Sequence, residues 1–537
     1  MRSAAERACG LALAALVATT GCSRPPAAPV SALPAYDVVE KSIATLQDDL
    51  TAGRITSEAL VAAYLQRIEA VDRGGPALNS VLAVNPNAAA DARSLDTERQ
   101  SGRVRGPLHG IPILVKDNID TVDPLPTTAG SLALSGNMTS RDAPAIARLR
   151  AAGAIVLGKT NLSEWANIRS SRSTSGWSAL GGLTRNPYAL DRNTCGSSAG
   201  SGAAAAASLA AAAIGTETDG SIVCPSAANG LAGIKPTVGL VSRTHIVPIS
   251  HTQDTAGPMA RSVADAALLL AAMAGHDALD PTTREADARR ADYPAALDPS
   301  ALRGVKLAAL RFLGGYHAET DAMFDRAVSA LKAAGADVVD VQTFPARTEI
   351  SAAELTVLLT ELKVDLDSYL ASTPRRVLTR TLSDVIAFNR ATPAETVLFG
   401  QDLFEQAART KGLNDPGYVA ALEKGRRLAG PEGIDRMLRT TGAAALLAPT
   451  GPPAWVTDVV SGDHFLGAAS ELPAVAGYPH VTVPMGSVRG LPVGLSFIGT
   501  AWSESRLIAL AYAFEQLAGA RMPPRYLPSI AAASPQP

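Results

Sequence analysis

Over 537 residues the chain carries a formal net charge of −2, with no basic block and only 4% aromatic residues, so nucleic acid has neither an electrostatic foothold nor a stacking platform. It is 47% hydrophobic and 18% charged, which supplies a sizeable core and excludes disorder. Length alone suggests three or four domains.

The first 21 residues read as a signal peptide: Arg2 and Arg7 precede an apolar stretch over 8–18, too short to span a bilayer. It ends in Thr19-Thr20-Gly21-Cys22, which resembles the bacterial lipobox, where the cysteine is lipidated and becomes the new N-terminus. Residues 22–35 are proline-rich and read as a tether. The expectation is an exported lipoprotein, facing the periplasm or the cell surface and touching membrane only through its anchor.

The folded part is expected over 36–525, with a short tail over 526–537. A helix over 38–51 stops at Gly53, and Thr56 caps a second that runs to about Val71. A buried strand over 111–115 delivers Lys116 at its end. A helix over 143–152 and a strand over 154–157 follow, then a turn at Lys159-Thr160-Asn161. In 193–236, two serine-bearing turns, Gly196-Ser197-Ser198 and Asp219-Gly220-Ser221, flank the alanine-rich run 203–214. Alanine is the best helix former, so that run reads as a buried helix with a turn at each end. Strands over 305–312 and 338–341 bracket a helix over 325–334 stopped by Gly335. Residues 352–440 are helical and more charged, an excursion covering the site. Strands over 446–449, 481–484 and 493–498 precede a closing helix over 504–517. This alternation predicts an α/β fold, a mixed central sheet with helices on both faces.

Three motifs compete for the chemistry. Gly153 to Thr160 fits the phosphate-loop spacing, but its four variable positions form the apolar strand itself and so cannot cradle phosphates. Gly196-Ser197-Ser198-Ala199-Gly200 fits the nucleophile elbow, which would make Ser198 the nucleophile with a base among His245, His251, His276, His317, His464 and His480. That elbow needs a strand directly before it, and 187–193 is a poor one. Alternatively, Lys116 serves the serines: a buried lysine loses its charge and becomes a general base. The competing role for Lys116 is a salt bridge to Asp117. No His, Asp and Glu cluster has metal-ligand spacing, so neither metal nor cofactor is expected. Cys195 and Cys224 stand two residues before Ser197 and three after Ser221. Their thiols would lie close if the turns converge, yet they read as small buried residues, and the cysteine count gives no disulfide framework.

Six stretches in one order and spacing resemble the amidase signature family: GPLHGIPILVKDNID, CGSSAGSG, GTETDGSIVCPSAANGLAGIKPTVGLVSR, DTAGPMARSVADAA, PAVAGYPHVTVPMG and GLPVGLSFIGTAWSESRLIALAYAFEQ. The resemblance covers about 42–517 and implies one domain. It also implies a serine nucleophile at Ser221, a bridging serine at Ser197 behind a cis peptide bond from Gly196, and Lys116 as base. The N–H groups of Thr218, Asp219, Gly220 and Ser221 match the oxyanion hole, and Ser198 is expected to hydrogen-bond Lys116. The versions TETDGSIVCP and DTAGPMARSV resemble those of members that remove the C-terminal amide of peptides, so a peptide or small-molecule amide substrate, a monomer and release of ammonia are expected. The alternatives are a broad amidase or esterase acting on small acyl amides, and an inactive peptide-binding lipoprotein. Where the family pattern reads T-D-x-G-G-S-I-R, this chain has Asp219 for a glycine and Val223 for the arginine. Aspartate is expected to tolerate the left-handed turn the glycine would occupy.

Overall fold

The computed structural model describes residues 36–530; the signal, Cys22 and tether expected over 1–35, and the end of the tail, lie outside them. Among the described residues no helix is long and apolar enough to cross a membrane.

Two capped helices open the body. Ser42 accepts from Thr45 N at the start of Ile43–Thr51, and Thr56 accepts from Ala59 N at the start of Ser57–Arg67. The first helix thus starts later than the expected 38, and the second passes into a wider turn at Ile68–Arg73.

Among the described residues, eleven strands form one mixed sheet. In chain order they are β1 (Val81–Val84), β2 (Pro112–Lys116), β3 (Ile155–Thr160), β6 (Ala212–Glu217), β7 (Ala232–Lys235), β8 (Thr255–Ala260), β9 (Lys306–Leu310), β10 (Asp337–Val341), β11 (Ala445–Pro449), β12 (His480–Val488) and β13 (Leu491–Ile498). A small separate ribbon pairs β4 (Trp177–Ser178) with β5 (Gly182–Leu183). Across the sheet the order is β1-β3-β2-β6-β8-β7-β12-β13-β11-β9-β10. The neighbours β3, β2 and β6 are parallel, and every residue in them is buried, which is why their sequences run apolar rather than alternating. Helices flank this sheet, as the α/β reading expects.

The alanine-rich run does not form the single helix its composition suggests. It is helical over Ala199–Ala206, turns at Ser208 with φ 55°, and becomes strand β6 from Ala212. There Ala212, Ala213 and Ile214 pair with Ile113, Leu114 and Val115 of β2, so sheet pairing overrides a propensity worth only tenths of a kcal/mol, about 0–0.7 per residue. Similarly, Lys159 and Thr160 close strand β3 instead of forming a turn. The helix expected over 325–334 begins earlier, at Ala318, capped by His317.

The excursion starts with the long helix Arg347–Ala371 and continues through Leu382–Ala391, Asp402–Ala408 and Pro416–Ala429. Its Leu362, Leu366 and Phe404 share an apolar cluster with Trp165, Ile168 and Ile249.

Candidate active site

Strands β2 and β6 run side by side in parallel register, Val115 opposite Ile214, so their C-terminal ends deliver Lys116 and Thr216 to one place. The helix Ala199–Ala206 follows the first serine turn, and the short helix Val223–Ala228 follows the second. Ser198 N–H donates to Ser221 O at 3.2 Å, joining the turns by their backbones. The Gly196–Ser197 peptide bond is cis.

Lys116 is fully buried. Its Nζ lies 2.8 Å from Ser197 Oγ, 2.8 Å from Thr216 Oγ1 and 3.2 Å from Thr216 O. Burial pulls its amine down to about 7, against the carboxylates of Asp254 and Glu217, which favour the charged form. The salt bridge to Asp117 is not made. Asp117 faces the buried Lys159 at 3.9 Å and accepts from the Thr128 hydroxyl, while Lys116 is held by hydroxyl and carbonyl oxygens. Ser198 does not bond Lys116 as expected. Its Oγ donates to Thr216 O at 3.0 Å and accepts from Thr216 N at 3.2 Å, from the position just before the following helix. The second hydroxyl on Lys116, beside that of Ser197, is Thr216's, which also accepts from Asn118 Nδ2 at 2.9 Å.

The 218–221 turn is shaped by Glu217. Its Oε2 accepts from Ile222 N at 2.7 Å and Val223 N at 3.0 Å, and the Gly220 amide also leans on this carboxylate. With valine at 223, the acid closes the turn on itself. Burial holds the Glu217 carboxyl above its usual range, while Lys235 pulls it back. The left-handed residue of the turn is Gly220, φ 80°, and not Asp219, which has no positive φ. A side chain at 220 would also meet Ser470 Oγ at 2.9 Å. Asp219 is therefore free of the conformational demand expected of it. Its carboxyl is pushed up to about 7, first by burial and then by Glu217 and Glu471, with the Ser470 hydroxyl acting the other way. Its Oδ1 has no hydrogen-bond partner among the described residues.

Ser221, Gly220, Asp219, Thr218 and Gly196 line a cavity of about 610 Å³, whose walls include Trp455 and Phe465, packed edge to face at 5.7 Å. A second cavity of about 400 Å³ lies on the other side of Thr218, lined by Asn118, Thr216 and Asp254 but not by Ser221. Cys195 and Cys224, read as separate buried thiols, form a disulfide in the first cavity's wall. The two turns converge closely enough to bridge them, with Cα atoms 5.9 Å apart.

The histidine alternative finds no support in this arrangement. His251 pairs with Asp365, His464 with Asp458 and His480 with Ser496, and none of the described histidines hydrogen-bonds to Ser197, Ser198 or Ser221. Burial drives the His480 imidazole down to about 3, so it stays neutral inside the sheet. Sequence reasoning missed Thr216, Asn118, Asp254 and the disulfide. The first three stand inside the quoted stretches or directly beside them, near residues assigned roles, but nothing in their spacing says which oxygen meets which amine.

A family model described as Amidase matches residues 59–508. A probable amidase of Arabidopsis thaliana is 37% identical over 504 residues, covering 92% of this chain and 93% of the relative. A putative amidase of Schizosaccharomyces pombe is 35% identical over 529 residues, covering 92% of this chain and 88% of that one. Among solved structures, native peptide amidase from Stenotrophomonas maltophilia superposes with a TM-score of 0.86 at 53% identity, covering 91% of this chain and 99% of the other. The chain thus belongs to the amidase signature family and is an amide-hydrolysing enzyme.

Proposed function

We propose that this enzyme is a serine amidohydrolase that removes the C-terminal carboxamide of peptides, giving the free acid and ammonia, through Ser221, Ser197 and Lys116. The observation that carries the chemistry is the fully buried Lys116 amine, 2.8 Å from Ser197 Oγ and with no acidic partner at hydrogen-bond distance among the described residues. The 53% identity to a peptide amidase supports the substrate class.

In the acylation step the neutral Lys116 amine takes the Ser197 proton as Ser197 takes that of Ser221, and Ser221 Oγ bonds to the amide carbon. The carbonyl electrons move onto oxygen, where N–H groups of the 218–221 turn receive them; one such donor contributes about 2.7–4 kcal/mol. As the oxyanion collapses, the C–N bond breaks and the leaving nitrogen takes back the proton through Ser197, departing as ammonia. Water then attacks the acyl carbon with Lys116 again as proton acceptor, the C–O bond to Ser221 breaks, and the serine is regenerated. No histidine, metal or cofactor enters these steps. We further read the protein as an exported monomer, anchored by lipid at Cys22.

Ammonia release from peptide amides, free amino-acid amides and small esters tests the substrate reading. Peptide amides should give the highest kcat/KM. A panel led by small acyl amides or esters would replace it with a broad amidase, and no turnover of any substrate would leave a peptide-binding protein.

A further inference from the structure

The excursion carries acids that reach the nucleophile turn through one intermediate segment. Glu354, Glu361 and Asp365 lie on the helix Arg347–Ala371, two turns and then one further turn apart, hence on one face. All three bind the stretch 250–254. Glu354 Oε1 accepts from Gln253 Nε2 at 2.8 Å. Glu361 Oε2 accepts from the Ser250 hydroxyl, from Thr252 N at 3.1 Å and from Thr252 Oγ1 at 2.9 Å, while its Oε1 accepts from Tyr418 OH at 2.6 Å. Asp365 Oδ2 accepts from His251 N at 2.8 Å.

At its other end the same stretch holds the turn. Asp254 Oδ2 accepts from Ile249 N at 2.8 Å and Ser250 N at 2.9 Å, and its Oδ1 accepts from Thr218 Oγ1 at 2.6 Å. Gln253 Nε2 reaches Thr218 O at 3.4 Å. His251, Glu361 and Asp365 also stand close enough together to suggest a cation site. The oxygens of Glu361 already accept from four donors, so the group is a hydrogen-bonded clasp.

We propose that the excursion is a positioning clamp for catalysis: Glu361, acting through 250–254 and Asp254, fixes Thr218 and with it the turn that receives the tetrahedral oxyanion. Oxyanion donors act only when aimed at the atom's place in the transition state, so loosening the turn slows the chemical step and spares binding of substrate and product. This rests on the serine amidohydrolase reading.

The test uses the full-length enzyme and a peptide amide. Thr218→Val removes the hydroxyl link without touching the excursion, Thr218→Ser keeps it, and Glu361→Gln weakens the far end. Inhibition is measured with a peptide aldehyde, which forms a tetrahedral adduct with the nucleophile, and with the product acid, which does not. Thr218→Val and Glu361→Gln should lower kcat about ten- to hundredfold, and weaken the aldehyde in parallel. KM and the acid's inhibition should stay within about twofold, and Thr218→Ser should restore wild-type values. Wild-type kcat in Thr218→Val, or equal weakening of aldehyde and acid, overturns the clamp. If Glu361→Gln does not fold by circular dichroism, Thr218→Val decides alone. A wild-type enzyme that releases no ammonia, or a Ser221→Ala variant that does, defeats the serine reading instead.

Discussion

Moving Lys116 from its ordinary 10.5 to about 7 corresponds to roughly 5 kcal/mol against the ammonium form, which is what burial among hydroxyls and carbonyls imposes when no carboxylate lies in contact. The neutral amine gains population as pH rises through about 7, so kcat/KM should climb about tenfold per pH unit below that value and level off above it. A flat profile between pH 5 and 8 would remove Lys116 as the base. Ser221→Ala should cost at least about 10⁴-fold with the fold intact, and Lys116→Ala nearly as much. Single replacement of His245, His251, His464 or His480 should leave the pH limb where it is. Asp219 belongs to the same scale. Its carboxyl, pushed up to about 7, lies in the wall of the cavity, and the proposed hydrolysis creates a new carboxylate beside Ser221. Two unit charges about 4 Å apart repel by about 1 kcal/mol in water and about 4 kcal/mol near a protein surface. Product inhibition should therefore weaken as pH rises through about 7, and Asp219→Gly should bind the free-acid peptide more tightly and lose that dependence. Unchanged inhibition constants in the variant, with its fold verified, would leave Asp219 as a turn residue.

The elements are held to one another by few but specific ties. The Cys195–Cys224 bridge joins residues 29 apart and closes a loop that contains both serine turns and the strand β6 between them. Such a cross-link typically stabilises by about 2–4 kcal/mol. Replacing both cysteines by serine should lower Tm by several degrees in a thermal melt, and an unchanged Tm would show that the strand pairing alone fixes the turns. How much of this was legible in the sequence depends on what each element owes to its own residues. Strand β2 and the capped helices were readable, because apolar runs and capping side chains are local signals. Strands β7 and β8 were not: Ala232-Gly233-Ile234-Lys235 has no alternation, and β8 places Pro258 opposite Ile214 inside the sheet, where proline ordinarily argues against a strand. Both exist because neighbours on each side supply the pairing. The serines and Lys116 could be picked out since their surroundings repeat a family pattern, whereas Thr216 and Asp254 act through contacts made across 100 and 36 residues, which spacing does not encode. The same holds for Glu361, whose partners Ser250 and Thr252 lie more than 100 residues earlier.

At the scale of the whole molecule, the proposed site lies where the parallel strands β2 and β6 end, and residues of the excursion, Arg347 and Leu358 among them, line the cavity beside it. Arg169, fully buried beside Glu164 and Glu395, ties the loop after β3 to the excursion, and Asp402 accepts from Ser170 on the same loop. Together with the Glu361 contacts, these tie the loops around 169–170 and 250–252 to the excursion. The disulfide bears on where the enzyme works, because such bonds persist in oxidising compartments and are rare where thiols are kept reduced. That accords with the export signal read in the first 21 residues and with our proposal of a lipid anchor at Cys22. A single acyl chain holds a protein to a membrane only marginally, with a partition constant of about 10⁴ M⁻¹, whereas two or more hold it firmly. Cells grown with labelled fatty acid should therefore yield labelled enzyme in the membrane fraction. Cys22→Ser should abolish the label and release active enzyme from the membrane, since the cysteine lies far in sequence from Lys116, Ser197 and Ser221. Mass spectrometry of the mature N-terminus decides the matter: a chain that begins at an acylated Cys22 supports the anchor, and one that begins elsewhere, unmodified, refutes it.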